Sequence, residues 1–357
     1  MQVAQVEHIV VNGRFQTMPV TGSQRYAREL VGRLAGKLDA EILVAVPPDL
    51  LVAADQLETF KPPGRSWSGL RGHLWEQVTL PRVSAGGDLL ISLANWGPLR
   101  VHRQVLAILD LAPLRLGGFF SWPYWTLTRV LQRQLARTVT RIVTLSQAMG
   151  LEIAATYDLD LNRIDVVPPG VGPPFTETQP RPPKRYCVFV GAHDPRKNLL
   201  FLLEFWPQLW GELGLELHVV ARSASRPHRS APTPETPGLR LHDDLDDRGL
   251  ADLYAGALCL LSPSHYEGFG LPLLEAMATG TPFLATEAGA ARELAVEASQ
   301  ILPLEAQAWV EALRSWSSAD LGDLRRAVRR RAHAYGWDRS AALLAASVRR
   351  ALVSCDE

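Results

Sequence analysis

The stretch HYEGFGLPLLEAM, residues 265–277, sets two carboxylates, Glu267 and Glu275, eight positions apart around a Gly-Phe-Gly turn followed by Pro272. The apolar run ALCLLSPS (257–264) before it reads as a buried strand, and LLEAMATG (273–280) after it reads as a helix. Proline is harmless in the first turn of a helix, where its missing N–H has no partner to lose, and Gly280 is a natural C-terminal stop. Gly268 and Gly270 let the main chain come close to a ligand, with the N–H groups of residues 268–271 aimed outward. A helix N-terminus adds partial positive charge, so this strand–turn–helix suits a phosphate or diphosphate. Glu275 is read on the first turn of the helix, where a carboxylate accepts both hydroxyls of a diol such as ribose. Glu267, ahead of the turn, is placed to reach a group beyond the phosphates. The plain alternative is a strand–turn–helix whose acid only favours the helix N-terminus.

Outward from this stretch the same alternation recurs. EHIVVNG (7–13), EILVAVP (41–47), DLLISLA (88–94), QVLAILD (104–110), RIVTLS (141–146) and RIDVVPPG (163–170) read as strands. SQRYARELVGRLAGKL (23–38) and WTLTRVLQRQLART (125–138) carry apolar residues at helical spacing. Strands alternating with helices imply parallel sheets covered on both faces. PPGVGPPFTETQPRPPKR (168–185) then breaks all periodicity with prolines. The alternation resumes with YCVFVGA (186–192), LELHVVA (215–221), LRLHDD (239–244) and TPFLAT (281–286). The expected organisation is an α/β domain over 1–171, a proline-rich linker over 172–184, a second α/β domain over 185–335, and a closing amphipathic helix within 336–357. The cleft between two such domains is the natural site, because ligands bind beyond the carboxyl ends of the strands.

Composition narrows the function classes. With 47% hydrophobic and 21% charged residues the 357-residue chain is globular, and 37 basic against 37 acidic residues give no global field for nucleic acid. Cys187, Cys259 and Cys355 are scattered and read as reduced thiols. No basic, apolar leader and no run of about 18 apolar residues is present, so a cytoplasmic protein is expected.

The E-x7-E element within PSHYEGFGLPLLEAMATGTP (263–282) strongly resembles that of the retaining glycosyltransferases of family 4. The resemblance implies a GT-B fold: two Rossmann-like domains facing each other across a cleft, the first (1–171) on the acceptor side and the second (185–335) binding the nucleotide-sugar, with the last helix, in YGWDRSAALL (335–344), crossing back to the first domain. It implies that Glu275 binds the nucleotide ribose, that Glu267 lies beside the transferred sugar, and that Gly268, Phe269, Gly270 and Leu271 hold the diphosphate. VGAHDPRKNLLFLLEFW (190–206) looks like the phosphate loop of these enzymes, with Lys197 in the place of their lysine. A cation there neutralises charge on the leaving group without an obligatory metal. Relatives often carry an arginine where this chain has Ala192, which leaves Arg196 as the nearby substitute. A solvated Pro-Arg-Lys loop is the plain alternative. PVTGSQRYARELVGRL (19–34) resembles the glycine loop after the first strand and assigns Gly22 to the donor, although a simple N-capped helix reads the same residues nearly as well. Leu109 stands where many relatives have a histidine.

The implied activity is transfer of a hexose from a UDP- or GDP-sugar, GDP-mannose being the family-level guess, to a glycan or lipid-linked acceptor in cell-surface glycan synthesis. A nucleotide-sugar-binding partner subunit without activity and a sugar-nucleotide epimerase are the rivals. Two DLD segments, 158–160 and 244–246, have the form of a metal-binding DxD but read as acidic loops. In residues 117–141, aromatics precede Arg129, Arg133 and Arg137 on one helical face. That pattern fits peripheral contact with an anionic membrane, and a solvated face is the preferred reading.

Overall fold

The β-branched runs of the first half of the chain become one seven-stranded sheet: β1 Glu7–Asn12, β2 Ala40–Val46, β3 Leu50–Ala53, β4 Leu89–Ser92, β5 Gln104–Ala107, β6 Arg141–Thr144 and β7 Ile164–Val166. The computed structural model describes residues 7–48, 50–56, 67, 69–119, 122–191, 194–221, 236–243 and 245–353. The strand order is β3-β2-β1-β4-β5-β6-β7, parallel at every pairing except β2 with β3. Strands β4 and β5 are buried along their whole length, as expected of a sheet covered on both faces. The antiparallel β3 is not among the strands expected from sequence. Its four residues, LLVA, are apolar but lie at the sheet edge with Leu50 and Leu51 exposed, and the run is too short to show a period.

Helix Gly22–Leu34 buries Tyr26, Ala27, Leu30, Val31 and Leu34, a stripe at helical spacing. The closing helix Trp337–Val353 belongs to the same unit, which comprises residues 1–170 and 337–357. Trp337 meets Tyr26 edge-on at 6.4 Å. The helix is also tied to the sheet by polar contacts. Asp165 of β7 accepts from Arg141 Nε (2.7 Å) and Nη2 (3.0 Å), from Ser347 Oγ (2.6 Å) and from Arg350 Nη2 (2.7 Å). Burial alone would raise the Asp165 pKa, but the hydrogen bonds of Arg141 and Ser347 and the two guanidinium charges hold it below the usual 3.8. A depressed carboxylate contributes stability that is complete above its unfolded pKa and is lost as pH falls through the folded one. Asp165→Asn is therefore expected to cost about 3 kcal/mol at neutral pH and progressively less below about pH 4. Urea denaturation across that range checks it, and equal midpoints at pH 7 would show that the hub holds nothing.

The second unit, residues 171–336, has a five-stranded, wholly parallel sheet. Its strands are β8 Tyr186–Val190, β9 Glu216–Ala221, β10 Leu239–Asp243, β11 Leu260–Ser262 and β12 Phe283–Ala285, in the order β10-β9-β8-β11-β12. The order reverses at β8, which has β9 on one side and β11 on the other. In doubly wound sheets that switch point opens a crevice beyond the strand carboxyl ends. The proline-rich stretch 172–184 packs on this unit: Phe175 is fully buried, and the amides of Arg181 and Lys184 donate to Ala255 and Gly256. Among the described residues no helix is long and apolar enough to cross a membrane.

Candidate functional site

Two loops leave the switch point of the second unit. The first follows β8, passes Gly191 (φ 111°) and closes as the 3-10 turn Pro195–Lys197 ahead of helix Leu199–Leu213. A methyl group on Gly191 would stand 3.0 Å from Lys197 Cγ, so the glycine lets the lysine stem lie along the strand end. The second loop follows β11 and runs through Ser264 and Glu267 to Gly270. Gly270, at φ 99°, opens helix Leu271–Ala278 in a conformation that glycine adopts without cost. The loops are bound to each other: the His265 amide donates to the Arg196 carbonyl at 2.9 Å, and Asn198 Nδ2 to the Pro263 carbonyl at 3.2 Å.

Where they meet, Lys197 Nζ donates to Glu267 Oε1, and Ser264 Oγ donates to the same oxygen at 2.8 Å. The two charged side chains are 18% and 12% exposed, so both are partly withdrawn from water. Beneath them lies a narrow cavity of about 10 Å³ between Phe189, Ser264, Gly270 and Pro272. Arg196 points elsewhere: its Nε and Nη2 grip Asp194 at 3.0 Å and 2.7 Å, and its own amide adds a third bond to that carboxylate at 3.0 Å. Burial would raise the Asp194 pKa, but these bonds and the nearby Lys197 charge hold it below the ordinary value. Among the described residues of this loop, the Lys197 ammonium is joined to the E-x7-E turn.

The turn is fixed from behind by Gly289 (φ 59°). A methyl there would stand 2.9 Å from Glu267 Cβ and 3.0 Å from the carbonyl oxygens of Glu267 and Phe269. The Ala290 amide donates to the Phe269 carbonyl at 3.0 Å, and Thr286 Oγ1 to the Ser264 carbonyl at 2.6 Å. Phe269 is buried and meets Tyr335 edge-on at 6.1 Å, so it anchors the turn. Glu275 is 4% exposed and is the fifth residue of its helix, one beyond the first turn where sequence placed it. It follows that Pro272 and the Gly270 turn, with no acidic side chain, make up the helix opening.

Gly22 is the first residue of its helix, after a Thr21–Gln24 capping box, which matches the capped-helix alternative for that segment. Leu109 is buried, and its amide donates to Asn95 Oδ1 at 2.6 Å. Ala192 and His193 lie outside the described residues, as do Asp244 of the second DLD segment and residues 120–121. In the first DLD segment Asp158 ends a helix in the left-handed region and Asp160 caps the turn Leu161–Arg163, so both have local structural duties. Arg129, Arg133 and Arg137 are exposed, and so is Trp122.

Sequence reading passes over Asp194, Asn198, Ser264 and Gly289, which hold the site rather than forming its motif. It also passes over a second constellation, Asn12, Arg14, His73 and Glu76, beside a cavity at the switch point of the first sheet. An asparagine ending a strand and an arginine two residues on were the available signal for it.

Residues 184–318 match the family described as glycosyl transferases group 1. Over 172 residues the chain is 31% identical to an MMP alpha-(1->4)-mannosyltransferase of Mycolicibacterium hassiacum, a match covering 46% of this chain and 41% of that protein. Over 330 residues it is 25% identical to O-antigen chain mannosyltransferase B of Escherichia coli, covering 79% and 83%. The chain spans about half the length of the first curated relatives it matches. Sucrose-phosphate synthase of Thermosynechococcus elongatus superimposes with a TM-score of 0.70 over 98% of this chain and all of that one, at 17% identity. Residues 184–318 are thus similar to the glycosyl transferases group 1 family, within a chain that has the GT-B fold.

Proposed function

We propose that the chain is a retaining glycosyltransferase that moves a sugar from a nucleoside-diphosphate sugar, UDP- or GDP-linked, to an acceptor hydroxyl in glycan synthesis. The observation that carries the reading is the meeting of Lys197 and Glu267 at the mouth of the Gly268–Leu271 turn, brought together from positions 70 apart. Lys197 and the turn amides take the charge that grows on the leaving diphosphate, Glu275 accepts the ribose diol, and Glu267 lies beside the sugar. The bond from the anomeric carbon to the diphosphate oxygen breaks. The acceptor oxygen bonds to that carbon from the same face, and its proton passes to the departing phosphate. Preorganised donors aimed at a developing charge are commonly the largest catalytic contribution, here about 3 kcal/mol for one cation.

The charges of the site are paired within the protein: Lys197 is held by Glu267, and Arg196 by Asp194. A diphosphate must therefore draw Lys197 off Glu267, and the carboxylate so released is free to turn to the sugar. One binding event thus arms both side chains.

The test is a panel of UDP- and GDP-sugars scored for hydrolysis and for thermal shift, with and without EDTA. Turnover that survives chelation is expected. Thermal stabilisation without turnover would identify a binding subunit instead. Loss under chelation that magnesium or manganese restores would assign the diphosphate charge to a metal rather than to Lys197.

A further inference from the structure

Asn198 departs from two local rules at once. It stands at the start of helix Leu199–Leu213, a place that asparagine favours because its side chain can accept from the first unpaired amides of a helix. Among the described residues its side chain makes no such capping bond. Its backbone also lies at φ 61° and ψ 45°, in the left-handed region that residues with a Cβ enter at a cost, asparagine less than most. Departures of this kind persist where the surroundings hold them, and they cluster at functional sites.

Instead of capping its helix, the Asn198 side chain crosses to the other loop of the site, where Nδ2 donates to the Pro263 carbonyl at 3.2 Å. On the other side of Lys197, the Arg196 carbonyl accepts from the His265 amide at 2.9 Å. The two bonds bracket one residue on each loop. Lys197 lies between 196 and 198, Ser264 lies between 263 and 265, and both bracketed side chains donate to Glu267 Oε1. Two points of attachment fix the angle between the loops as well as their distance, whereas a single point would leave a pivot. Of the two bonds, the one from Asn198 comes from a side chain.

The left-handed turn is what makes the crossing possible. Asn198 ends the 3-10 turn Pro195–Lys197, its amide donating to the Pro195 carbonyl at 3.2 Å, and the long helix begins at the next residue. The loops spring from paired strands, with Leu260 opposite Val188 and Leu261 opposite Phe189. Their bases are therefore rigid, and the cross-loop bonds set the register of their tips.

We infer that Asn198 is a positioning residue for the transfer proposed above, locking Lys197 in register with Glu267 so that the donor meets both in one geometry. The positioning role rests on that reading; the lock between the loops does not. Misplacing a reacting arrangement by about 1 Å can cost about a hundredfold in rate. The diphosphate can still gather the turn amides and Lys197 when the tips are loose, so the lock acts on the transition state more than on binding.

Two variants remove the bond in different ways. Asn198→Gly adopts the left-handed backbone without cost and lacks the donor, while Asn198→Asp keeps the shape and replaces the donating amide with an acceptor. Hydrogen-exchange mass spectrometry on the full chain reads the His265 amide in peptides covering 263–270, with circular dichroism confirming the fold. Initial rates use the UDP- or GDP-sugar that turns over in the panel, and isothermal titration uses UDP and GDP. Expected are exchange in 263–270 about tenfold faster in both variants, β8 peptides unchanged, and turnover at least about tenfold lower. Nucleotide affinity of Asn198→Gly should stay within about threefold of the wild type. Unchanged exchange in both variants overturns the lock. Faster exchange with turnover within about twofold of the wild type, or with affinity falling as far as turnover, overturns the positioning role. A wild type that binds neither nucleotide and turns over no donor, with exchange altered as expected, would refute the glycosyltransferase reading and leave the lock standing as a property of the fold.

Discussion

Lys197→Ala is expected to lower turnover about a hundredfold, a loss of about 2.7 kcal/mol of transition-state stabilisation. The charge on the leaving diphosphate grows as its bond to the sugar breaks, so a cation beside it acts more strongly in the transition state than in the ground state. Interactions of that kind appear in turnover rather than in binding. The geometry adds a second effect. Glu267, having lost its ion-pair partner, would be left with Ser264 alone at 2.8 Å and would repel the donor. Donor affinity should therefore fall as well, by several-fold. The double variant Lys197→Ala/Glu267→Gln separates the two effects, because removing the orphaned charge should restore affinity without restoring turnover. Arg196→Ala should cost less than tenfold in turnover, since its guanidinium is engaged by Asp194. Near-normal turnover in folded Lys197→Ala would place the diphosphate on another loop.

The parts of the fold that were legible in sequence are those set by local pattern. Strands such as β4 and β8 are continuous apolar runs because both faces are covered, and Gly-Phe-Gly ahead of a proline leaves few choices but a turn opening a helix. The strand Leu50–Ala53 was hidden although its LLVA is apolar, because four residues starting two positions after Pro48 are too short to show a period. The exact position of Glu275 was misjudged by a residue because the helix begins at Leu271, directly after a glycine held at positive φ, one residue ahead of the proline that signals its start. Long-range pairings were not legible at all. Glu76 sits 62 positions after Arg14 on a helix, Gly69–Val78, and nothing in the local pattern of either segment points to the other. Only the approach of that helix to the end of β1 buries the pair, and approach is a property of the sheet order. The same holds for Lys197 and Glu267. Their motifs could be read separately, but their contact follows from β8 and β11 being neighbours at the switch point, which strand order decides.

Glu267→Gln should move binding and catalysis in opposite directions. The carboxylate holds Lys197, so a nucleoside diphosphate must compete with it for the ammonium. An exposed ion pair is worth about 0–1 kcal/mol and a charge-assisted hydrogen bond about 1.5–3 kcal/mol. This pair is partly buried, so releasing Lys197 should tighten UDP or GDP binding by up to about tenfold. Glutamine keeps the shape and still accepts from Ser264 Oγ, so the loop should keep its place. Turnover should nevertheless fall at least about a hundredfold, because the carboxylate that turns toward the sugar would no longer offset positive charge at the anomeric carbon. Isothermal titration with nucleoside diphosphate and initial rates with the donor found active in the panel supply the two numbers. If affinity and turnover fall together, Glu267 serves only to position Lys197. If affinity rises and turnover is untouched, the carboxylate is a brake on binding and some other group meets the sugar. Only a rise in one with a fall in the other fits a residue that restrains the cation before the donor arrives and serves the sugar afterwards.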